Sequence, residues 1–153
     1  VIVPHLVVAD ATAAVDFYID AFSAQVLYRS PSPSGEGEHV HLKIWNSLVQ
    51  LSTEEPTHRR ATMEGGLLAA PPSLGGSTCL FQIVVPDVDA AYRKADDHGA
   101  LPALPPTDMF WGDRYGWVND PFGHMWAFCS IHEVLTPGQI SERLRGLTER
   151  QTQ

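Results

Sequence analysis

The sequence predicts an α+β domain built from two tandem βαβββ modules, and three observations carry that reading. Shifting the chain by 77 residues lays His5–Ala14 on Gln82–Ala91, with five identities in ten positions. The same shift lays Leu48–Leu51 on Met125–Phe128, so one offset matches both the opening and the closing of a half-chain unit. Each unit reads as strand, helix and then three strands. A repeated unit that cannot bury its apolar face alone does so against its twin. Matching positions of the two halves are then expected to line a common cavity, the hollow of one curled mixed sheet.

In the first unit residues 2–8 are β-rich, and Asp10 or Thr12 can cap a helix reaching Phe22, with Val15, Tyr18 and Phe22 at helical spacing. Residues 25–29, 39–45 and 48–52 read as strands, the last two joined by a tight turn at Asn46-Ser47, while 30–37 is a loop. The second unit repeats the order: a strand over 79–85, a helix over 87–98 stopped by Gly99, a short strand near Leu101 and two longer strands. Between those two, Asp120-Pro121-Phe122-Gly123 has the residue order of a type I turn. One domain results, with module one at 1–52, a linker at 53–78, module two at 79–130 and a C-terminal helix at 136–150. The linker contains Pro56, Gly65-Gly66, Pro71-Pro72 and Gly75-Gly76 and has no sustained periodicity, which makes it a lid or a plain surface excursion. Thr136-Pro137 opens the last helix, whose Ile140, Leu144 and Leu147 share one side for packing.

With 153 residues and 44% hydrophobic content the chain can fill one core. Its formal charge of −8 argues against nucleic acid or an anionic membrane as a partner; it serves solubility and favours neutral or cationic ligands. Cys79 and Cys129 have no paired spacing and lie in apolar stretches, as reduced core thiols of a cytoplasmic protein would. No apolar run approaches the roughly 18 residues of a membrane span, and Val1 opens directly into a strand with no leader visible.

Val15-Asp16-Phe17-Tyr18 in the first helix and Asp120-Pro121-Phe122-Gly123-His124 before the last strand, set in paired βαβββ units, resemble the vicinal oxygen chelate superfamily. That superfamily includes glyoxalase I, extradiol dioxygenases, fosfomycin-modifying enzymes and bleomycin-binding resistance proteins. Phe110-Trp111-Gly112-Asp113-Arg114, followed by Asp120 to Trp126, is most similar to its PhnB-like branch. The resemblance covers essentially the whole chain. It implies the glyoxalase/bleomycin-resistance fold, a homodimer and, in the enzymes, a divalent metal held by His or Glu from the first and last strands of each unit. Here those positions are His5 and Gln50, then Gln82 and Ala127; a second alignment moves the first-strand positions to Val3 and Leu80, on the same faces. One imidazole, two amides and a methyl are a poor set for a hard or borderline divalent ion, so no cofactor is expected.

Pairing through Asn46-Ser47 places His41 and Lys43 on the face of Gln50 and Ser52. Pairing the final hairpin about Pro121-Phe122 places Arg114, Gly116 and Val118 with Met125, Ala127 and Cys129, and turns Trp117, Trp126 and Phe128 toward the helices. Gly116 and Ala127 would then leave room for a planar ligand. Arg114 offers a forked donor to a carboxylate or phosphate, or pairs with an acid such as Asp113. Trp45 and Trp111 are available to stack on a ligand, or to pack in the core or a dimer contact. His124 reads as a structural residue of the hairpin, and no nucleophile constellation or phosphate loop is present.

These readings lead to a small-molecule-binding protein that sequesters an aromatic metabolite or antibiotic in a cavity lined by His5, His41, Lys43, Trp45, Gln50, Gln82, Trp111, Arg114 and Ala127. The alternative is a metal-dependent lyase or dioxygenase whose site is relocated onto His5 and His41. A third is a dimeric module with a vestigial cavity.

Overall fold

The computed structural model describes residues 1–55 and 68–151. In chain order these form β1 (His5–Val8), α1 (Ala11–Phe22), β2 (Gln25–Pro31), β3 (Glu38–Ile44) and β4 (Ser47–Thr53). Then come α2 (Pro71–Leu74), β5 (Leu80–Val84), α3 (Val88–Asp97), β6 (Leu101–Asp108), β7 (Asp113–Asn119), β8 (Met125–Ile131) and α4 (Pro137–Gln151). The duplicated βαβββ order is therefore present, as two four-stranded mixed sheets ordered β1-β4-β3-β2 and β5-β8-β7-β6.

Matching aspartates start α1 and α3, the corresponding helices of the two modules. Asp10 Oδ1 accepts from Ala13 N–H at 3.0 Å and Asp87 Oδ1 from Ala90 N–H at 2.9 Å, satisfying donors that a helix start leaves orphaned. Helix α1 covers β3 and β4, α3 covers β6 to β8, and the two helices meet. One apolar core runs through both modules: Leu6, Val8, Val40, Leu42 and Leu51 from sheet one join Val118, Trp126 and Phe128 from sheet two. Phe22 of α1 lies at the centre, its ring 5.0 Å from Trp126 and 5.7 Å from Phe128.

Polar contacts also cross this junction. The buried Asp120 carboxylate accepts from Tyr18 Oη at 2.5 Å and from Trp126 Nε1 at 2.9 Å. His124, structural as expected, donates through Nε2 to the Val7 carbonyl at 3.0 Å.

Part of the linker, including Pro56 and Gly65-Gly66, lies outside the described residues. The described part is packed on the body: a Cβ on Gly123 (φ +90°) would come 2.9 Å from Pro71 Cβ, and Ser73 Oγ donates to Glu54 at 2.7 Å. The packing expected of the last helix is slight. Leu144 and Leu147 of α4 remain 47% and 39% exposed, and the helix is tied by an Arg143–Glu133 ion pair of 2.6 Å. Cys129 is buried, but Cys79, expected in the core, is exposed because it precedes edge strand β5; neither forms a disulfide. Among the described residues no helix is long and apolar enough to cross a membrane.

Candidate functional site

Along β3, Val40, Leu42 and Ile44 are buried while His39, His41 and Lys43 alternate with them and point away from the core. The β3–β4 turn falls at Trp45-Asn46, one residue before the expected position, and the strand faces stay as anticipated. Register then lines up three elements: His5 of β1 pairs with Gln50 of β4, which pairs with His41 of β3. The three side chains share the open face of sheet one. The Gln50 amide donates to His41 Nε2 at 3.4 Å, and His5 Nε2 lies 3.0 Å from Ser52 Oγ. Lys43, opposite Leu48, is exposed two residues farther along.

Two further aromatic rings join this face. His39 pairs with Ser52, its ring 5.9 Å from that of His5, and Tyr28 pairs with His41 at 5.5 Å. Tyr28 has no signature in sequence, because a register irregularity between Val26 and Tyr28 decides which face it takes.

On sheet two the open face is set by a different register from that expected. Asp120 Oδ1 accepts from both Phe122 and His124 N–H at 2.9 Å, and Gly123 turns with φ +90°, so the β7–β8 loop spans residues 120–124. Asn119 therefore opposes Met125, one residue later than a turn about Pro121-Phe122 would give. Every β7 side chain changes face as a result. Trp117 opposes Ala127 and Tyr115 opposes Cys129, while Gly116 lies on the core side against the backbone of Leu104 and Pro106. The room expected beside Ala127 is filled: Ala127 is fully buried in a cluster with Tyr115 and Cys129, against Trp117, Trp111, Met109 and Leu104.

The same slip removes Arg114 from the site. Its guanidinium forks onto Asp89 at the start of α3, with Nε–Oδ2 of 2.5 Å and Nη2–Oδ1 of 2.7 Å, and Nη1 reaches Asp108 at 2.9 Å. This pairing holds the Asp89 carboxyl below its ordinary range and raises the arginine further. Module one ties its helix start in the same way, with Arg29 on Glu38 and Thr12. Arg114 is a strand-to-helix tie, so Arg114→Ala is expected to leave small-molecule affinity within about twofold of wild type by titration calorimetry, since the side chain faces away from both open faces.

Gln82 pairs with Ala127 and donates to Cys129 Sγ at 3.1 Å. Burial pushes the Cys129 thiol and the Tyr115 hydroxyl upward, which keeps both protonated and poor nucleophiles. Trp111 donates to Asp113 Oδ2 at 3.0 Å and packs edge-on against Tyr115. Trp45 stands at the tip of the β3–β4 turn, on a crevice it shares with Gln82. The structure thus gathers His5, His41 and Gln50, places Lys43 beside them, keeps Gln82 and Ala127 on the second sheet with Trp111 in its β6–β7 loop, and sends Arg114 elsewhere. Among the described residues no three His, Cys, Asp or Glu side chains converge as a metal site would require.

Comparison with known proteins agrees with this architecture. An uncharacterised protein of Mycobacterium bovis is 44% identical over 124 residues, covering 81% of this chain and 78% of that protein. TioX from Micromonospora sp. ML1 superposes with a TM-score of 0.61 at 26% identity, covering 89% of this chain and 99% of TioX. A glyoxalase/bleomycin resistance protein/dioxygenase from Nocardioides gives 0.64 at 24% identity, covering 88% of this chain and 84% of that one. Glyoxalase I from Zea mays, of which the match covers 46%, gives 0.62 at 17% identity over 88% of this chain, a likeness of fold. Residues 2–128 match the model of one family, and the chain belongs to the Glyoxalase/Bleomycin resistance protein/Dioxygenase superfamily.

Proposed function

We propose that this protein binds a planar aromatic metabolite or antibiotic without a catalytic metal and works as a cytoplasmic homodimer of the PhnB-like branch. The observation that carries the reading is the chemistry at the four matched positions: His5 and Gln50 in one sheet, Gln82 and buried Ala127 in the other. An imidazole and two amides orient a ligand through neutral hydrogen bonds and hold a divalent ion poorly. Tyr28 beside His41 supplies an aromatic surface on the same face. Exposed apolar side chains on the open faces, Tyr28 at 55%, Leu48 at 47% and Val84 at 64%, support a second copy as their cover. The two unpaired thiols suit a reducing compartment.

Titration calorimetry against a panel of planar antibiotics and metabolites tests this. At least one saturable ligand is expected, with His41→Ala and Gln50→Ala each weakening it about tenfold, the scale of one lost hydrogen bond. Silence across the panel would count against binding. A second reading, a metal-dependent lyase or dioxygenase, draws on His5, His39 and His41 sharing one face. Stoichiometric metal in the purified protein by elemental analysis, with binding lost on chelation, would replace the first reading with the second.

A further inference from the structure

A second crevice lies away from the histidine face. Where the modules meet, a crevice of about 390 Å³ opens between the β3–β4 turn and the free edge of β5. Trp45, Ile44 and Val49 form one wall, and Phe81, Ile83 and Trp126 the other. Its remaining side chains are Pro4, Asn46, Ser47, Gln82 and Val84, so no charged group lines it.

Two features set this crevice apart from an ordinary packing gap. Trp45 sits in the left-handed region at φ +53°, at the first central position of a two-residue hairpin turn, where glycine is the usual occupant. A bulky aromatic residue there is strained, and such outliers persist where surrounding structure or function demands them. The second feature is the strand edge. Val85 N–H bonds the Cys129 carbonyl, so alternation turns the N–H and C=O of Phe81 and Ile83 toward β8 and those of Gln82 and Val84 away from it. Strand β5 has β8 as its one strand neighbour. Among the described residues, the outward groups of Gln82 and Val84 therefore have no ladder partner and offer adjacent donors and acceptors along the crevice.

We infer that this crevice binds a neutral, planar heteroaromatic lactam, stacked on Trp45 and hydrogen-bonded by its N–H and C=O edge to the backbone of Gln82 and Val84. A charged ligand finds no counter-ion here, and a purely apolar one leaves the strand edge unpaired. The volume suits a bicyclic to tricyclic ring system.

Isoquinolin-1(2H)-one, with N-methyl-isoquinolin-1-one as its donor-blocked twin, tests the assignment by tryptophan fluorescence and calorimetry on the full chain. The lactam is expected to bind saturably, with a Kd below about 1 mM, and the N-methyl twin at least about tenfold more weakly. Trp45→Gly relieves the left-handed strain, so it should keep the wild-type melting temperature while weakening the lactam about tenfold or more. Val84→Pro removes an outward N–H and spares the β5–β8 ladder, with the same expected loss. Equal binding of the twin, full affinity in Trp45→Gly or Val84→Pro, or no saturation at the solubility limit would each overturn the assignment. The twin comparison needs no variant to fold. Loss of binding in His41→Ala with Trp45→Gly unaffected would move the ligand to the histidine face, overturning this site and leaving the proposed function standing.

Discussion

Replacing Asp120 with alanine is expected to lower the unfolding free energy by about 3–5 kcal/mol, the scale seen when one partner of a buried charged network is removed. The side chain is 2% exposed and accepts four hydrogen bonds, from Tyr18 Oη, Trp126 Nε1 and the backbone N–H groups of Phe122 and His124. Its loss orphans two buried side-chain donors and loosens the turn that fixes the β7–β8 register. Urea denaturation followed by circular dichroism measures the effect, and a loss under about 1 kcal/mol would mean that the donors find other partners. The network also carries a pH signature. Burial, and then the neighbouring Asp120 charge, raise Tyr18 well above the ordinary tyrosine range. The unfolded chain therefore ionises this tyrosine first, and its contribution to stability, complete below about pH 10, is lost as pH rises beyond that value. Tyr18→Phe should flatten the alkaline limb of the stability profile.

Phe22→Ala should be of similar size, about 3–5 kcal/mol, because a large ring is removed from a filled interior that collapses only in part. Phe22 is 2% exposed and touches Phe17 and Tyr18 on its own helix and Trp126 and Phe128 across the module junction. Since one core serves both units, the variant is expected to unfold in a single step at lower denaturant. Tryptophan fluorescence, which reports Trp45 in module one and Trp111, Trp117 and Trp126 in module two, and far-ultraviolet circular dichroism should give coincident transitions. Separate transitions would show that the units unfold independently.

The duplicated order of elements was legible because caps and strand starts recur at one offset: Asp10 and Asp87 fill the same role in their helices. The His41–Gln50 face was legible as well, since a two-residue turn placed one residue off preserves which side chains share a side. The face of β7 was not. Its register depends on the Asp120 side chain closing the loop through its own backbone, a choice that the turn residues alone do not reveal. Arg114 followed that error, and its acid partner Asp89 lies 25 residues away on a helix. Trp45 was legible as a tryptophan near a strand end but not in its left-handed backbone, which residue type argues against.

The Tyr18–Asp120 bond has a consequence for the ancestry of the fold. Carried across by the 77-residue offset, Tyr18 corresponds to Ala95 and Asp120 to Lys43, so the contact exists once and has no mirror-image counterpart. The first half offers no carboxylate at the position of Asp120, and the second, though its own Phe122, His124 and Trp126 would still donate to Asp120, offers no phenol at the position of Tyr18. At this contact the duplicated halves are therefore not interchangeable, each supplying the member that its sibling lacks.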